Sequence, residues 1–229
     1  MQLRALSFDA DQTLWDFHGV QRRALEATAQ TMIDRELVPT GAVDASTLQA
    51  AREEIIGQYR GRPHSLEDVR RASFEHVLDR VGCVDSGGVA HELLDVFLQV
   101  RFNEIELYPE VRGCLDRLGS RYRLGLLSNG NTDPERCGLA GVFQAVVLTP
   151  SLGVDKPHPE AFATLTRQLG VDPAATAHVG DDWDDVEGAN ASGMRSVYLN
   201  RNGANPPFRA CADHEIRSLT DLETLLESE

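Results

Sequence analysis

The chain has 229 residues, 41% of them hydrophobic and 25% charged, which suits one large soluble domain or two smaller ones. Its formal net charge of −14 argues against binding to a nucleic-acid backbone. No apolar stretch approaches the roughly 18 residues that span a bilayer, and the start of the chain does not resemble a signal peptide. Four scattered cysteines, without the paired spacing of a zinc site or a disulfide framework, favour reduced thiols and a cytoplasmic location.

The first predicted element is a buried strand over residues 3–8, which ends at Asp9 and Asp11. Residues two apart on an extended strand point to the same side. If the backbone turns after Asp9 instead, both carboxylates can face one reacting group from different sides. A structural alternative is that Asp9 only ends the strand and Asp11 caps the next element.

Residues 18–106 show helical periodicity and little strand signal. Apolar side chains recur at i, i+3, i+4 and i+7 in three stretches, beginning at Leu25, Phe74 and Leu93. Ser65 and Asp68 have the spacing of a capping box. Turn-forming residues at 39–46, 61–65 and 82–88 predict the breaks. The pattern predicts an inserted bundle of four helices.

Strands and helices alternate after residue 108. Strands are predicted over residues 122–127, 145–148, 176–179, 196–199 and 214–216, and helices over 111–118, 159–169 and 219–226. This alternation predicts an α/β fold with a parallel sheet covered by helices. We therefore expect an α/β core formed by residues 1–15 and 107–229, and a helical domain formed by residues 16–106.

Polar groups follow three of the predicted strands, and the carboxyl ends of parallel strands share one edge of a sheet. They are Asp9 with Asp11, Ser128 with Asn129, and Asp181 with Asp185. The only lysine among 22 basic residues, Lys156, lies on a nearby loop. Each group has a structural alternative: an ordinary turn at Ser128, an exposed lysine, or acidic residues at a helix N-terminus.

The acidic cluster favours a metal ion. Four aspartates in the five residues from 181 to 185 repel one another, and the helix dipole offsets only about 0.3–1 kcal/mol for each. A divalent cation relieves this repulsion directly. Oxygen ligands without a histidine or cysteine partner suit Mg²⁺.

Four motifs now stand in order: residues 9–14 (DADQTL), residues 126–129 (LLSN), Lys156-Pro157, and Gly180-Asp181 followed by Asp185. In this order they resemble the motifs of the haloacid dehalogenase superfamily. The helical insert is similar to the cap that one subfamily carries between the first two motifs. The resemblance covers essentially the whole chain and implies a Rossmann-like parallel sheet core with an inserted helical cap.

The resemblance also implies the activity. The expected activity is that of a Mg²⁺-dependent phosphatase that hydrolyses a small phosphomonoester metabolite through an aspartyl phosphate. Asp9 would attack the phosphorus, while Asp11 would protonate the leaving group and then activate water. Asp9, the backbone carbonyl of Asp11, and Asp181 would hold Mg²⁺.

The remaining motif residues would bind the phosphoryl group or orient the groups around it. Ser128, Asn129 and Lys156 would hold its oxygens. Asp185, and less directly Asp182, would orient Lys156 or a metal-bound water. No nucleic acid or membrane partner is expected, and the chain would be a monomer or a homodimer.

Other members of the superfamily supply alternatives. The hydrolytic 2-haloacid dehalogenases lack an aspartate two residues after the nucleophile, so Asp11 favours phosphoryl transfer. Phosphonate-cleaving members need a cap lysine, which this chain lacks. A phosphomutase, or a catalytically silent phosphate-binding or interaction protein, remains an alternative. The complete set of catalytic groups argues against a silent protein, because such a protein would not need them.

Substrate choice is expected to depend on the cap. The residues considered for it are Arg60, Arg62 and His64 between two helices, and Trp15, Phe17 and His18 at the entry to the insert. A role in surface solvation or hinge packing is favoured for all of them.

Overall fold

The computed structural model describes residues 2–59 and 64–227. Arg60 and Arg62 lie outside the described residues. The chain forms two compact units, one made of Met1–Asp16 with Glu106–Glu229 and the other of Phe17–Ile105. None of the described helices is long and apolar enough to span a bilayer.

The first unit is built on a six-stranded sheet in the order β3-β2-β1-β4-β5-β6, and all its strand pairs are parallel. The central strand, β1, is buried along its whole length because neighbours cover both its edges and helices flank the sheet. The chain reverses its strand order at β1, and such switch points are where open α/β sheets bind ligands. The strands are β1 Ala5–Phe8, β2 Arg123–Ser128, β3 Ala145–Leu148, β4 Thr176–Gly180, β5 Arg195–Leu199 and β6 His214–Ile216.

Helices connect these strands in the order expected for an α/β core. One apolar cluster joins the inner side of α7, including Phe162 and Leu165, to β2, β3 and Ala189 of α8. Gly188 allows this close approach, since a Cβ there would run into the Phe162 ring. The helices of this unit are α5 Val111–Gly119, α6 Thr149–Leu152, α7 Pro159–Leu169, α8 Trp183–Ala191 and α9 Leu219–Glu227.

The second unit has its own apolar core of buried residues such as Leu48, Phe74, Leu78 and Leu93. The Ser65–Asp68 capping box is present at the start of its third helix. The break predicted over residues 82–88 is present but ends earlier, because residues 86–88 form the first turn of a helix whose N-cap is Asp85. The side chain of Asp85 satisfies a free N–H there and offsets the poor helix propensity of two glycines. Among its described residues, the α-helices are α1 Phe17–Asp34, α2 Ala45–Ile56, α3 Leu66–Arg80 and α4 Ser86–Asn103.

The predicted α/β class and the parallel sheet are confirmed. β3, β6 and α7 have the predicted bounds, while β2 begins one residue later than predicted and extends through Ser128. The short helix α6 was not predicted. The cysteines are free, with Cys114 and Cys137 buried and Cys211 exposed.

Candidate active site

Asp9 and Asp11 lie on a turn that begins directly after β1. Asp9 is 6% exposed. The N–H of Leu14 donates to the carbonyl of Ala10 at 2.8 Å and closes the turn, in which Gln12 takes a left-handed φ of 63°. Few residues other than glycine adopt this conformation, and such strain is common at functional sites. The two carboxylates have different partners, since Asp9 contacts Lys156 and Asp11 contacts Trp15.

The Asp11 carboxylate is fixed by two neighbours. The buried indole of Trp15 donates its Nε1–H to Asp11 Oδ1 at 2.7 Å. The other oxygen lies against Gly130, where an added Cβ would sit 2.7 Å from Asp11 Oδ2. Asp11 therefore lies beside the end of β2. Sequence analysis considered Trp15 for substrate choice and favoured hinge packing, so its contact with Asp11 was not predicted.

Lys156 is buried, with 5% of its surface exposed, so the alternative of an exposed lysine is wrong. Its Nζ donates to Asp9 Oδ1 and to Asp185 Oδ1, each at 2.6 Å. Lysine is almost never buried without such partners. The two carboxylates hold the ammonium between β1 and the start of α8.

Asn129 holds the backbone of the lysine loop. Its Oδ1 accepts from the Lys156 N–H at 2.8 Å, and its Nδ2 donates to the Lys156 carbonyl at 3.2 Å. The Thr149 hydroxyl also donates to Asn129 Oδ1 at 3.1 Å. Much of the Asn129 side chain thus positions Lys156, which leaves one N–H of Nδ2 for another acceptor.

Ser128 ends β2 and is buried. Its Oγ accepts a hydrogen bond from the Gly130 N–H at 3.0 Å. A serine hydroxyl can accept and donate at once, so its proton is available to an oxygen in the site.

Asp185 is packed against Gly180 at the end of β4. A Cβ at Gly180 would lie 2.6 Å from Asp185 Cβ, and closer still to its carboxylate. Asp182 is the N-cap of α8 and forms a capping box with Asp185, whose Oδ2 accepts from the Asp182 N–H at 3.2 Å. The role that the structure shows for Asp182 is therefore helix capping.

His178 is a buried polar residue of this site that sequence reasoning missed. Its Nε2 lies 3.0 Å from Asp185 Oδ1, and its Nδ1 lies 2.7 Å from Ser7 Oγ. Burial lowers the pKa of His178, which favours the neutral ring. The available signal was a histidine inside the apolar strand that leads to Gly180.

The carboxylates of Asp9, Asp181 and Asp185 crowd together, with one oxygen of each within 4.8 Å of the others. Burial and the neighbouring carboxylates raise the pKa of Asp9 despite Lys156, and they raise the pKa of Asp181 to about 7. Burial acts in the same direction on Asp185, but Lys156 and His178 outweigh it and hold its pKa well below the usual range.

The cluster fits a divalent metal ion. Its three carboxylates carry more negative charge than the single Lys156 ammonium balances, and a cation would relieve the repulsion that raises the pKa of Asp9 and Asp181. Oxygen is the donor atom that Mg²⁺ prefers.

Two known proteins that are similar to this chain are phosphatases by name. The glyceraldehyde 3-phosphate phosphatase of Methanopyrus kandleri is 28% identical over 208 residues, which cover 87% of this chain and 84% of that protein. The N-acylneuraminate-9-phosphatase of Rattus norvegicus is 27% identical over 238 residues, which cover 99% and 95%.

A solved structure resembles the whole chain. The crystal structure of a 2-haloacid dehalogenase from Pseudomonas syringae pv. tomato has a TM-score of 0.83 at 31% identity and covers 99% of each chain. Residues 3–193 match the model of the haloacid dehalogenase-like hydrolases. The chain therefore belongs to the family of haloacid dehalogenase-like hydrolases.

Proposed function

We propose that this hydrolase is a phosphatase that releases phosphate from a small phosphomonoester metabolite, with Asp9 as the nucleophile. The observation that carries this proposal is the Asp11 carboxylate, which the Trp15 N–H fixes against Gly130 at the end of β2, the strand next to the one that leads to Asp9. The names of the two phosphatase relatives support a small phosphorylated substrate.

The Asp11 carboxylate favours phosphate esters over haloacids as the substrate class. A halide leaves as a stable anion and needs no proton. The alkoxide that leaves a phosphate ester is strongly basic, so a general acid lowers its barrier, typically by ~10²–10⁴-fold in rate. Asp11 supplies such an acid, and a dehalogenase would have no use for it.

The reaction has two steps. In the first, Asp9 Oδ attacks phosphorus, the phosphorus–oxygen bond to the alcohol breaks, and Asp11 gives its proton to the departing alkoxide. In the second, Asp11 removes a proton from water. The water oxygen then attacks phosphorus, which releases inorganic phosphate and restores the Asp9 carboxylate.

Three neighbouring side chains would bind the phosphoryl oxygens. The Lys156 ammonium has three N–H donors, and its contacts with Asp9 and Asp185 use two of them. The third donor, the Ser128 hydroxyl and the remaining N–H of Asn129 can bind these oxygens. Fixed donors of this kind stabilise the charge that develops in the transition state.

We include Mg²⁺ in the proposal as the cofactor. Asp9, the backbone carbonyl of Asp11, and Asp181 would hold it. The bound ion would neutralise charge so that one anion can approach another.

The helical unit would act as a cap that selects the substrate. Phe17–Ile105 is inserted directly after the turn that carries Asp11. The chain segments that lead into and out of it run side by side, since Trp15 and Leu107 form an antiparallel bridge. Inserted elements of this kind can exclude water from an active site.

The test is to measure phosphate release from a panel of phosphorylated metabolites and p-nitrophenyl phosphate, and halide release from 2-chloropropionate, with Mg²⁺ or with EDTA. We expect phosphate release that requires Mg²⁺ and is abolished in Asp9→Asn. Halide release without phosphate release would instead establish the dehalogenase alternative, which the likeness to the Pseudomonas structure keeps open.

A further inference from the structure

We propose that His178 is a positioning residue: it holds Asp185, and through Asp185 it holds Lys156 against Asp9. The proposal rests on the function given above, because it concerns the same lysine. The relay, which is the chain of hydrogen bonds from Ser7 to Asp9, can nevertheless be tested without measuring catalytic activity.

The relay is a continuous chain of buried side chains. It runs from β1 through β4 and α8 to the residue that follows β1, with donor–acceptor distances between 2.6 and 3.0 Å. Its members, in order, are Ser7, His178, Asp185, Lys156 and Asp9. All of them are buried, so water does not compete for these hydrogen bonds.

The direction of each hydrogen bond follows from the groups present. Asp185 Oδ1 accepts from the Lys156 ammonium at 2.6 Å, and a carboxylate can only accept, so His178 must carry its proton on Nε2. In the neutral ring Nδ1 then accepts, and the Ser7 hydroxyl donates to it. Asp185 therefore selects the histidine tautomer, and the Ser7 hydroxyl satisfies the Nδ1 that this tautomer leaves as an acceptor.

The position of the ring is fixed by the sheet and by packing. Ser7 and His178 are direct partners in the β1–β4 register. The His178 ring also meets Phe162 edge-on, with 5.1 Å between centroids. Because Gly188 leaves room for Phe162, the ring is enclosed on that side.

This anchoring matters because Lys156 needs a fixed partner other than Asp9. Asp9 must turn its oxygen toward phosphorus during attack. Asp185 can keep the ammonium in place at that moment only if its own carboxylate does not rotate. The His178 N–H at Oδ1 and the Asp182 N–H at Oδ2 prevent that rotation. Replacing a hydrogen-bond partner that orients a functional group from behind typically lowers activity by about 10–100-fold.

The sole lysine of the chain makes a direct measurement possible. Protein labelled with [ε-¹⁵N]lysine contains a single labelled ammonium, that of Lys156. Its NMR signal reports the Asp9–Lys156–Asp185 contacts in protein without substrate or metal. The same variants are then assayed for kcat with a phosphate ester and Mg²⁺.

Two substitutions at His178 separate positioning from simple packing. The amide nitrogen of glutamine reaches about as far as Nε2, so His178→Gln keeps the donor to Asp185. Asparagine reaches only about as far as Nδ1, so His178→Asn loses it. We expect His178→Asn to shift the Lys156 signal and lower kcat by about 10–100-fold, and His178→Gln to recover most of both.

Thr176→Val is the matched control. Thr176 is buried on the same strand and donates to the Asp172 carbonyl at 3.0 Å, so the variant also loses one buried hydrogen bond. It should lower the melting temperature without moving the Lys156 signal or kcat. If His178→Asn does not fold, His178→Leu, which fills more of the ring's volume but has no donor, decides the question in the same two measurements.

The outcomes are distinct. An unchanged Lys156 signal and unchanged kcat in a folded His178→Asn protein would overturn the relay, as would equal losses in His178→Gln and His178→Asn. A wild-type protein without phosphatase activity, but with the expected signal changes, would reject the proposed function and leave the relay in place.

Discussion

Replacing Gly180 by alanine tests whether the position of Asp185 controls activity. Gly180 lies in β4, a conformation that alanine adopts easily, so the main effect is the added methyl group. That Cβ would lie 2.6 Å from Asp185 Cβ, whereas ordinary contact begins near 3.4 Å. Asp185 must therefore move by about 0.8 Å (3.4 − 2.6) at Cβ, and further at its carboxylate.

A displacement of this size should be costly because Asp185 holds Lys156 at 2.6 Å. A misplacement of about 1 Å can reduce a rate ~10²-fold, and overpacking typically costs 1–3 kcal/mol of stability. We expect kcat/KM of Gly180→Ala to fall about 10²-fold at a temperature where circular dichroism shows folded protein.

The control for this prediction is Gly113→Ala in α5. There the nearest group to an added Cβ is the flexible end of Arg117 at 3.2 Å, so activity should stay at the wild-type level. A folded Gly180→Ala protein with wild-type kcat/KM would refute the argument that Asp185 must occupy its observed place.

Three further predictions concern the neighbouring groups. Lys156→Arg should lower kcat by about 10²-fold at a nearly unchanged melting temperature, because a planar guanidinium does not fit between two carboxylates that bind a compact ammonium; unchanged steady-state kinetics would contradict this. Asp11→Asn should lower kcat/KM for an alkyl phosphate by ~10²–10⁴-fold but less for p-nitrophenyl phosphate, whose leaving group needs no proton; equal losses would argue against Asp11 as the acid. The pKa of Asp181 is raised to about 7 without metal, so protons compete with Mg²⁺ below that pH. Calorimetric titration should show Mg²⁺ affinity falling as the pH drops from 8 to 6, and an affinity independent of pH would exclude this competition.

Much of the core could be predicted from the sequence because its signals are local. β3 and α7 were predicted with their observed bounds, since an apolar run defines one and Pro159 and Gly170 delimit the other. Three sets of polar residues at strand ends also indicated the site, because parallel strands end on one edge.

Other features depend on contacts between residues far apart in the chain. His178 binds Ser7, 171 residues away, and only the register of β1 with β4 makes them partners. The lone lysine was noticed by count, but its burial between Asp9 and Asp185 is a property of the fold.

Short elements were also hard to predict. α6 has four residues and follows β3 without a break, so periodicity could not separate it from the strand. The start of α4 was misplaced because its glycines resemble a turn, and only the Asp85 side chain shows that they begin a helix.

The central claim is that Asp9 receives the phosphoryl group. The most direct test is to mix Asp11→Asn protein with p-nitrophenyl phosphate and Mg²⁺, quench with acid, and reduce with borohydride, which converts an aspartyl phosphate to homoserine. This variant keeps the nucleophile but lacks the base for the second step, so the intermediate should accumulate. Peptide mass spectrometry should then find homoserine at position 9 in proportion to the nitrophenol released. Stoichiometric nitrophenol release with an unmodified aspartate at position 9 would contradict the account.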